Sequence, residues 1–218
     1  MVETARERFI AAGEKLYPIL GYNKLSVRVL AAEARASAGM FHHLFDSKDA
    51  FIAEMLDHYG KIALGVRQNE NLSSNPFEEL REIAWQMLKA VRDNLAFVNR
   101  IFTDSADGVQ PINEFVRRLM EVRTAAVNRL LDECAKIDGG EPANSIQRLG
   151  YFSSSISVPI VLGSRLDNMN LLPQQLSSNV AFILTDEAIL QRIDWTMSAM
   201  FPNYRIKTQS KEKIGKSR

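Results

Sequence analysis

The side chains with the most reactive chemistry in this sequence are two adjacent histidines, a single cysteine and two pairs of adjacent acids. His42 and His43 carry nitrogen donors suited to a metal. Neighbouring residues on a helix point in different directions, however, and His58 on the next helix has no partner at ligand spacing. Cys134 would act as a nucleophile only beside a base, and nothing in the sequence supplies one, so it reads as a small buried apolar residue. Glu78-Glu79 and Asp186-Glu187 read as solvated faces. There is neither a glycine-rich phosphate loop nor a nucleophile elbow. No metal, no cofactor and no enzymatic activity are therefore expected.

What remains is chemistry directed at phosphates and base edges. Ser37-Ala38-Gly39-Met40 opens a short helical stretch with small residues behind a serine cap. A helix start of this kind offers free N–H groups to phosphate oxygens. Its lack of bulk lets the backbone enter a groove about 12 Å wide. Ser26 caps a preceding short helix, and Arg28 stands in that helix's first turn. Lys48 opens the following helix, at the end where the helix dipole disfavours a cation, and a phosphate partner would account for it. Ser37, Ala38, Gly39 and Met40, with Lys48, are the DNA-contact candidates on these grounds.

These residues need a frame, and helical spacing supplies one throughout, with no sustained strand-like alternation. Phe9, Ala12, Gly13, Leu16 and Tyr17 mark one face of a first helix. Pro18 makes an irregular end at Leu20 expected, with Gly21 as a left-handed terminator. The second helix buries Val27, Leu30, Ala31 and Ala34. The third buries Phe41, Leu44 and Phe45, with Ala34-Arg35-Ala36-Ser37 as the turn between them, which is a helix-turn-helix arrangement. Ser47 caps a longer helix through Phe51, Met55, Tyr59, Ile62 and Val66, and a polar loop from Gln68 follows. Asn75-Pro76 with Glu78 starts the next helix. Further helices are expected from Leu95 to Ala106, from Pro111 to about Lys136, and from Pro142 to about Asn168 with a kink at Pro159. A linker from Leu171 to Ser177 then precedes a last long helix, Ser178 to Met200. The fold class is all-α: residues 1–48 as a DNA-binding domain, 49–204 as a larger helical domain, 205–218 as a basic tail.

Gly21-Tyr22, Leu25-Ser26-Val27, Leu30-Ala31, Ser37 to Phe45 and Ser47-Lys48-Asp49 resemble, in one register, the DNA-binding region of the TetR family of bacterial repressors. The resemblance covers about the first 60 residues. It implies a homodimer whose C-terminal domain binds a ligand that releases operator DNA. By position it implies phosphate contacts from Ser26 and Lys48. Arg28, Ala38, Gly39 and Met40 would lie near base edges. His42 stands where the family usually has a phosphate-contacting tyrosine, with His43 at the next groove-facing position. Arg35 replaces the usual turn glycine, and a positive φ there would store about 1 kcal/mol.

Charge distribution points the same way. Residues 1–48 carry 7 Lys+Arg against 5 Asp+Glu, residues 49–204 carry 14 against 20, and residues 205–218 carry 6 against 1. Basic ends flank an acidic middle, although the whole chain is only +1. The longest apolar stretch, Ile156 to Leu162, is too short to cross a bilayer. One cysteine and no N-terminal signal pattern make the cytoplasm the expected compartment. In the larger domain Tyr59, Ile62, Trp85, Leu88, Phe102, Phe115, Leu119 and Phe152 are candidates for an apolar pocket holding a small apolar effector. Phe152, Ile156 and Ile160, with Phe182, Ile189, Ile193 and Met197, are candidates for a dimer seam. A helical carrier or enzyme without specific DNA binding is the alternative from another class, and an architectural DNA protein without a ligand is a third.

Overall fold

A computed structural model describes residues 3–62, 75–139 and 144–204, and among these every regular element is a helix. In chain order the helices are α1 (Ala5–Lys24), α2 (Val27–Glu33), α3 (Ala38–Leu44), α4 (Lys48–Ile62), α5 (Pro76–Asp93), α6 (Leu95–Ala106), α7 (Gln110–Asp138), α8 (Ser145–Asn168), α9 (Gln174–Ser177), α10 (Val180–Ile183) and α11 (Asp186–Met200). Val66, the loop from Gln68 as far as residue 74, Gly140, Pro142 and the tail 205–218 lie outside the described residues, as does the side chain of Ile62.

Most starts and stops follow local capping chemistry. Thr4 and Glu7 form a reciprocal cap on α1: the Glu7 N–H donates to Thr4 Oγ1 at 3.2 Å and the Thr4 N–H to the Glu7 carboxylate at 2.7 Å. Ser26, Ser37 and Ser47 accept from Val29, Met40 and Ala50 at 3.3, 3.2 and 3.0 Å, as their positions predict. The helical geometry of α1 runs through Pro18 and breaks at Gly21, whose φ is 68°.

The C-terminal segment differs from the expectation. The expected single helix from Ser178 to Met200 is instead one short turn, α10, followed by α11, and the expected linker Leu171 to Ser177 contains α9. Thr185 is the stop and restart: its Oγ1 donates to the Phe182 carbonyl at 2.9 Å and accepts from the Ala188 N–H at 3.2 Å. Asp186 and Glu187 then occupy the first turn, where the dipole favours acids. Apolar spacing continues across this junction, so periodicity alone reads through it.

Packing divides the chain into two compact units, Met1–Arg67 with Asp93–Glu121, and Gln68–Arg92 with Val122–Arg218. The first holds α1, α2 and α3 together with α4, α6 and the start of α7. Its core contains Phe9, Tyr17, Phe41, Phe45, Phe51, Ile52, Met55 and Leu56, all buried. Phe97 of α6 sits 5.0 Å from Tyr17 and stacks on Tyr59 at 3.6 Å, ring centre to ring centre.

The second unit packs α8 against α10 and α11. Leu80, Ala84 and Leu88 from α5 and Leu130, Leu131 and Cys134 from α7 are buried within it. Phe77 at the start of α5 meets Phe201 edge-on at 5.3 Å and stacks on Tyr204 at 3.6 Å. Glu79 departs from the solvated face expected of it. It is 7% exposed and accepts from Arg129 Nη2 at 2.8 Å, while Glu78 is exposed. A partner fifty residues away supplies the compensation that a buried carboxylate needs.

Candidate nucleic-acid interface

The recognition surface is built on a turn whose geometry is unusual for its residue. Ala34 closes α2, and Arg35 then takes φ 50°, a left-handed conformation that glycine adopts at lower cost. The Ala36 N–H returns to the Ala31 carbonyl at 2.9 Å and the Arg35 N–H to Ala32 at 3.3 Å, the paired bonds of a Schellman terminus. Arg8 of α1 donates to the Ala34 carbonyl at 3.1 Å and so ties the turn to the first helix.

The third helix has seven residues, too few to be stable alone. Phe41, its only buried residue, lies 5.4 Å from Phe9, 5.1 Å from Phe45 and 5.3 Å from Phe51. Arg6 clamps its end by donating to the Leu44 carbonyl at 3.0 Å, bonding the Glu54 carboxylate at 2.8 Å and covering the Phe45 ring at 4.7 Å. With the inner face held this way, Ser37, Ala38, Gly39, Met40, His42 and His43 are all exposed, as are Ser26 and Arg28 on α2 and its cap. A side chain added at Gly39 would meet only Ser37 Oγ at 3.8 Å, so the surface there is open.

Lys48 is placed differently from its expectation. Its ammonium already has a protein acceptor, the Tyr22 carbonyl at 2.5 Å, and lies 4.0 Å over the Tyr22 ring. Its position at a helix start is therefore explained without a phosphate. An ammonium has three donors, and this bond uses one. Desolvation draws its pKa below the ordinary lysine range, against the pull of Asp49 and Asp104. The Tyr22 hydroxyl donates to Asp49, which pushes the phenol up to about 12.

The basic character of residues 1–48 also divides. Arg6 and Lys15 are paired with Glu54 and Glu33, and Arg8 is bound to backbone carbonyls. Lys24, Arg28 and Arg35 are exposed and make no ion pair among the described residues. Neither Lys24 nor Arg35 is among the DNA-contact residues expected above. A signal for them is that neither has an acid three or four residues away. His58 finds a partner in Glu14 at 2.7 Å, and among the described residues no group of three or more metal-ligating side chains occurs.

The expected pocket residues are drawn from both units. Tyr59, Ile62, Phe102, Phe115 and Leu119 belong to the first unit, and Trp85, Leu88 and Phe152 to the second. Leu88, Phe115 and Phe152 are buried, Tyr59, Trp85 and Leu119 half-buried, and Phe102 exposed. Phe102 thus leaves the core: the buried face of α6 is Phe97, Val98, Ile101 and Asp104, and Phe102 follows one position beyond it. Tyr59 is committed to its stack on Phe97 and to a hydrogen bond with Asn94. An open groove of about 720 Å3 runs along α11, lined by Glu187, Leu190, Gln191, Asp194, Trp195 and Ser198, none of which was among the expected pocket residues.

The residues expected at the dimer seam differ in exposure. Phe152, Ile156, Ile160, Ile189 and Ile193 are buried within the protomer. Of the seven residues only Phe182 is exposed, with Met197 half-buried. Helix α8 carries two apolar stripes and α11 one stripe with Trp195 opposite it, and spacing does not say which faces inward. The outward stripe is Tyr151, Val158 and Leu162 on α8, at 44–50% exposure, and Trp195 on α11, at 63%.

Comparison with known proteins agrees with this geometry. Residues 9–55 match the family model of bacterial regulatory proteins, tetR family. A transcriptional regulator from Rhodococcus sp. Rha1 superposes with a TM-score of 0.63 at 19% identity, covering 90% of this chain and 97% of its own. A TetR-family transcriptional regulator from Bordetella parapertussis gives 0.60 at 17%, covering 91% and 95%. The transcriptional regulator FadR from Bacillus subtilis, solved in complex with stearoyl-CoA, gives 0.57 at 12%, covering 85% and 98%. The comparison with curated proteins gives no match. The TetR resemblance and the all-α fold are thus borne out, and residues 9–55 form a TetR-type DNA-binding module.

Proposed function

We propose that the chain is a homodimeric transcriptional regulator of the repressor type. It places the start of α3 in the major groove of operator DNA and leaves when a small apolar effector binds. One observation carries the reading. The seven-residue helix α3 is anchored by Phe41 on its inner face and presents Ser37 to Met40, small at its start, on an open outer face. That combination has no use in a core and suits a groove. Ala38, Gly39 and Met40 meet base edges, with Arg28 beside them, while Ser26, Ser37, His42, His43 and Lys48 serve phosphates. Lys48 does so with the two donors that Tyr22 leaves free.

Residues 1–48 act as the reader, 49–204 as the effector-binding and dimerisation body, and 205–218 as a basic tail, in the cytoplasm and without enzymatic activity. Among the described residues no helix is long and apolar enough to cross a membrane. The dimer forms through the outward stripe of Tyr151, Val158 and Leu162 with Trp195, which leaves the buried isoleucines to the core. Compounds with a long acyl chain are the first effectors to test, because a structural neighbour was solved with stearoyl-CoA, whose acyl chain is apolar.

The experiment is fluorescence anisotropy with labelled duplexes tiling the region upstream of the gene, repeated over a salt series. The expected result is one duplex bound far more tightly than random sequence, with a steep salt slope. Absence of binding to any duplex at low salt would favour the alternative, a helical small-molecule carrier or enzyme.

A further inference from the structure

The first unit packs α6 against α1 at the place where α1 stops being helical. Gly21, at φ 68° and ψ 174°, turns the chain out of the helix and takes the Tyr22 N–H away from its regular acceptor. That N–H donates instead to Asp104 Oδ2 of α6 at 2.8 Å. Asp104 is 3% exposed. A carboxylate this buried is costly unless its oxygens are occupied. The Arg100 guanidinium, one turn earlier on α6, is 4.0 Å away and reaches the Ile19 carbonyl at 3.4 Å. A side chain on Gly21 would meet the Arg100 side chain at 2.9 Å, and φ 68° itself disfavours any residue with a Cβ there. Burial and the Asp104 charge together hold the phenol of Tyr17 above its ordinary range.

The same Tyr22 faces the other way through its carbonyl, which accepts from Lys48 Nζ at 2.5 Å. Its ring lies under that ammonium at 4.0 Å, and its hydroxyl is bonded to Asp49. One residue is therefore gripped by α6 at its amide and grips the start of α4 with its carbonyl, ring and hydroxyl. A loosened Tyr22 would release the ammonium into one of many conformers, since a lysine side chain keeps considerable rotamer freedom unless it is held.

We infer that Asp104 is a positioning residue for DNA binding: from α6 it fixes the Tyr22 backbone, and Tyr22 fixes the Lys48 ammonium at the start of α4. This rests on the reading of Lys48 as a phosphate contact. The DNA-facing cation is thus set by a helix that contributes none of the expected DNA contacts.

The test uses the full chain, a labelled random-sequence duplex at low salt, and the tightest upstream duplex. Wild type is measured first; if it binds neither, the functional reading falls and this proposal with it, before any variant is made. Asp104→Leu removes the acceptor at similar size and is expected to weaken binding to both duplexes about tenfold, the weight of roughly one hydrogen bond. Asp104→Asn keeps an acceptor oxygen and is expected to recover most of that loss. In a Lys48→Ala chain, whose salt slope should already be about one unit lower, Asp104→Leu is expected to cost nothing further. Binding by Asp104→Leu equal to wild type, or a loss that adds in full to that of Lys48→Ala, overturns the proposal. Amide exchange in the wild-type chain gives a reading that no misfolded variant can cloud. A Tyr22 N–H held by a carboxylate shut off from water should exchange slowly, and exchange at the rate of an open loop would also overturn the proposal.

Discussion

Replacing Phe41 by alanine should unseat the recognition helix, and the structure sets the size of the effect. The ring is fully buried and makes edge or tilted contacts with Phe9, Phe45 and Phe51 at 5.1–5.4 Å. Truncating a buried phenylalanine costs about 3–5 kcal/mol in lost transfer energy and cavity. Aromatic contacts of this geometry are worth about 0.5–1.5 kcal/mol apiece, which places Phe41→Ala toward the upper part of that range. Against a typical domain stability of about 5–15 kcal/mol, the first unit would lose much of what holds it. Urea titration followed by far-UV circular dichroism measures the loss, and anisotropy with DNA measures its consequence. Met40→Ala is the internal control, one position earlier on the same helix and 40% exposed. It should change stability by no more than about 0.5 kcal/mol and yet weaken DNA binding. The reasoning is refuted if Phe41→Ala costs under about 1 kcal/mol, or if Met40→Ala destabilises the chain as much.

Leu162→Arg, on the outward stripe of α8, should convert a dimer to a monomer by light scattering with little change in melting; Ile160→Arg, on the inward stripe, should prevent folding. A dimer that survives Leu162→Arg would exclude that stripe as the seam. Arg35→Gly should raise stability by about 1 kcal/mol in urea titration, because φ 50° strains any residue with a side chain; a decrease would mean the guanidinium contributes more than the strain costs. Burial pushes the Cys134 thiol up to about 12, so a thiol reagent at pH 8 should react with it only after urea is added. The sign for stability follows: the unfolded thiol ionises from about pH 8.5 while the folded one stays neutral. Cys134 therefore favours the folded state below that pH, and stability falls as pH rises from there toward 12.

The parts of this fold that are legible in the sequence are those whose cause lies within a few residues. Ser26, Ser37 and Ser47 each cap the helix that follows, Arg35 occupies a left-handed turn, and Gly21 ends regular geometry in α1, because a cap or a terminus needs only its own neighbours. The spacing of Phe41 and Phe45 likewise turns α3 with its small residues outward. What stays hidden is the choice of distant partner. Glu79 looks like half of a solvated acidic pair until Arg129, fifty residues on, is found against it. Lys48 looks like an unexplained cation until the Tyr22 carbonyl is seen to accept it. The dimer residues show the limit most directly. Helix α8 carries an inward and an outward apolar stripe, and α11 an inward stripe with Trp195 alone facing outward; a 3.6-residue period does not tell the two faces apart. Only packing shows that Ile156, Ile160, Ile189 and Ile193 face the core, and that Tyr151, Val158, Leu162 and Trp195 are exposed. Around α3 the exposed face of small residues is readable from local pattern. The support proposed for Lys48, Asp104 gripping the Tyr22 amide from eighty-two residues away in the chain, is visible only once the two are folded together.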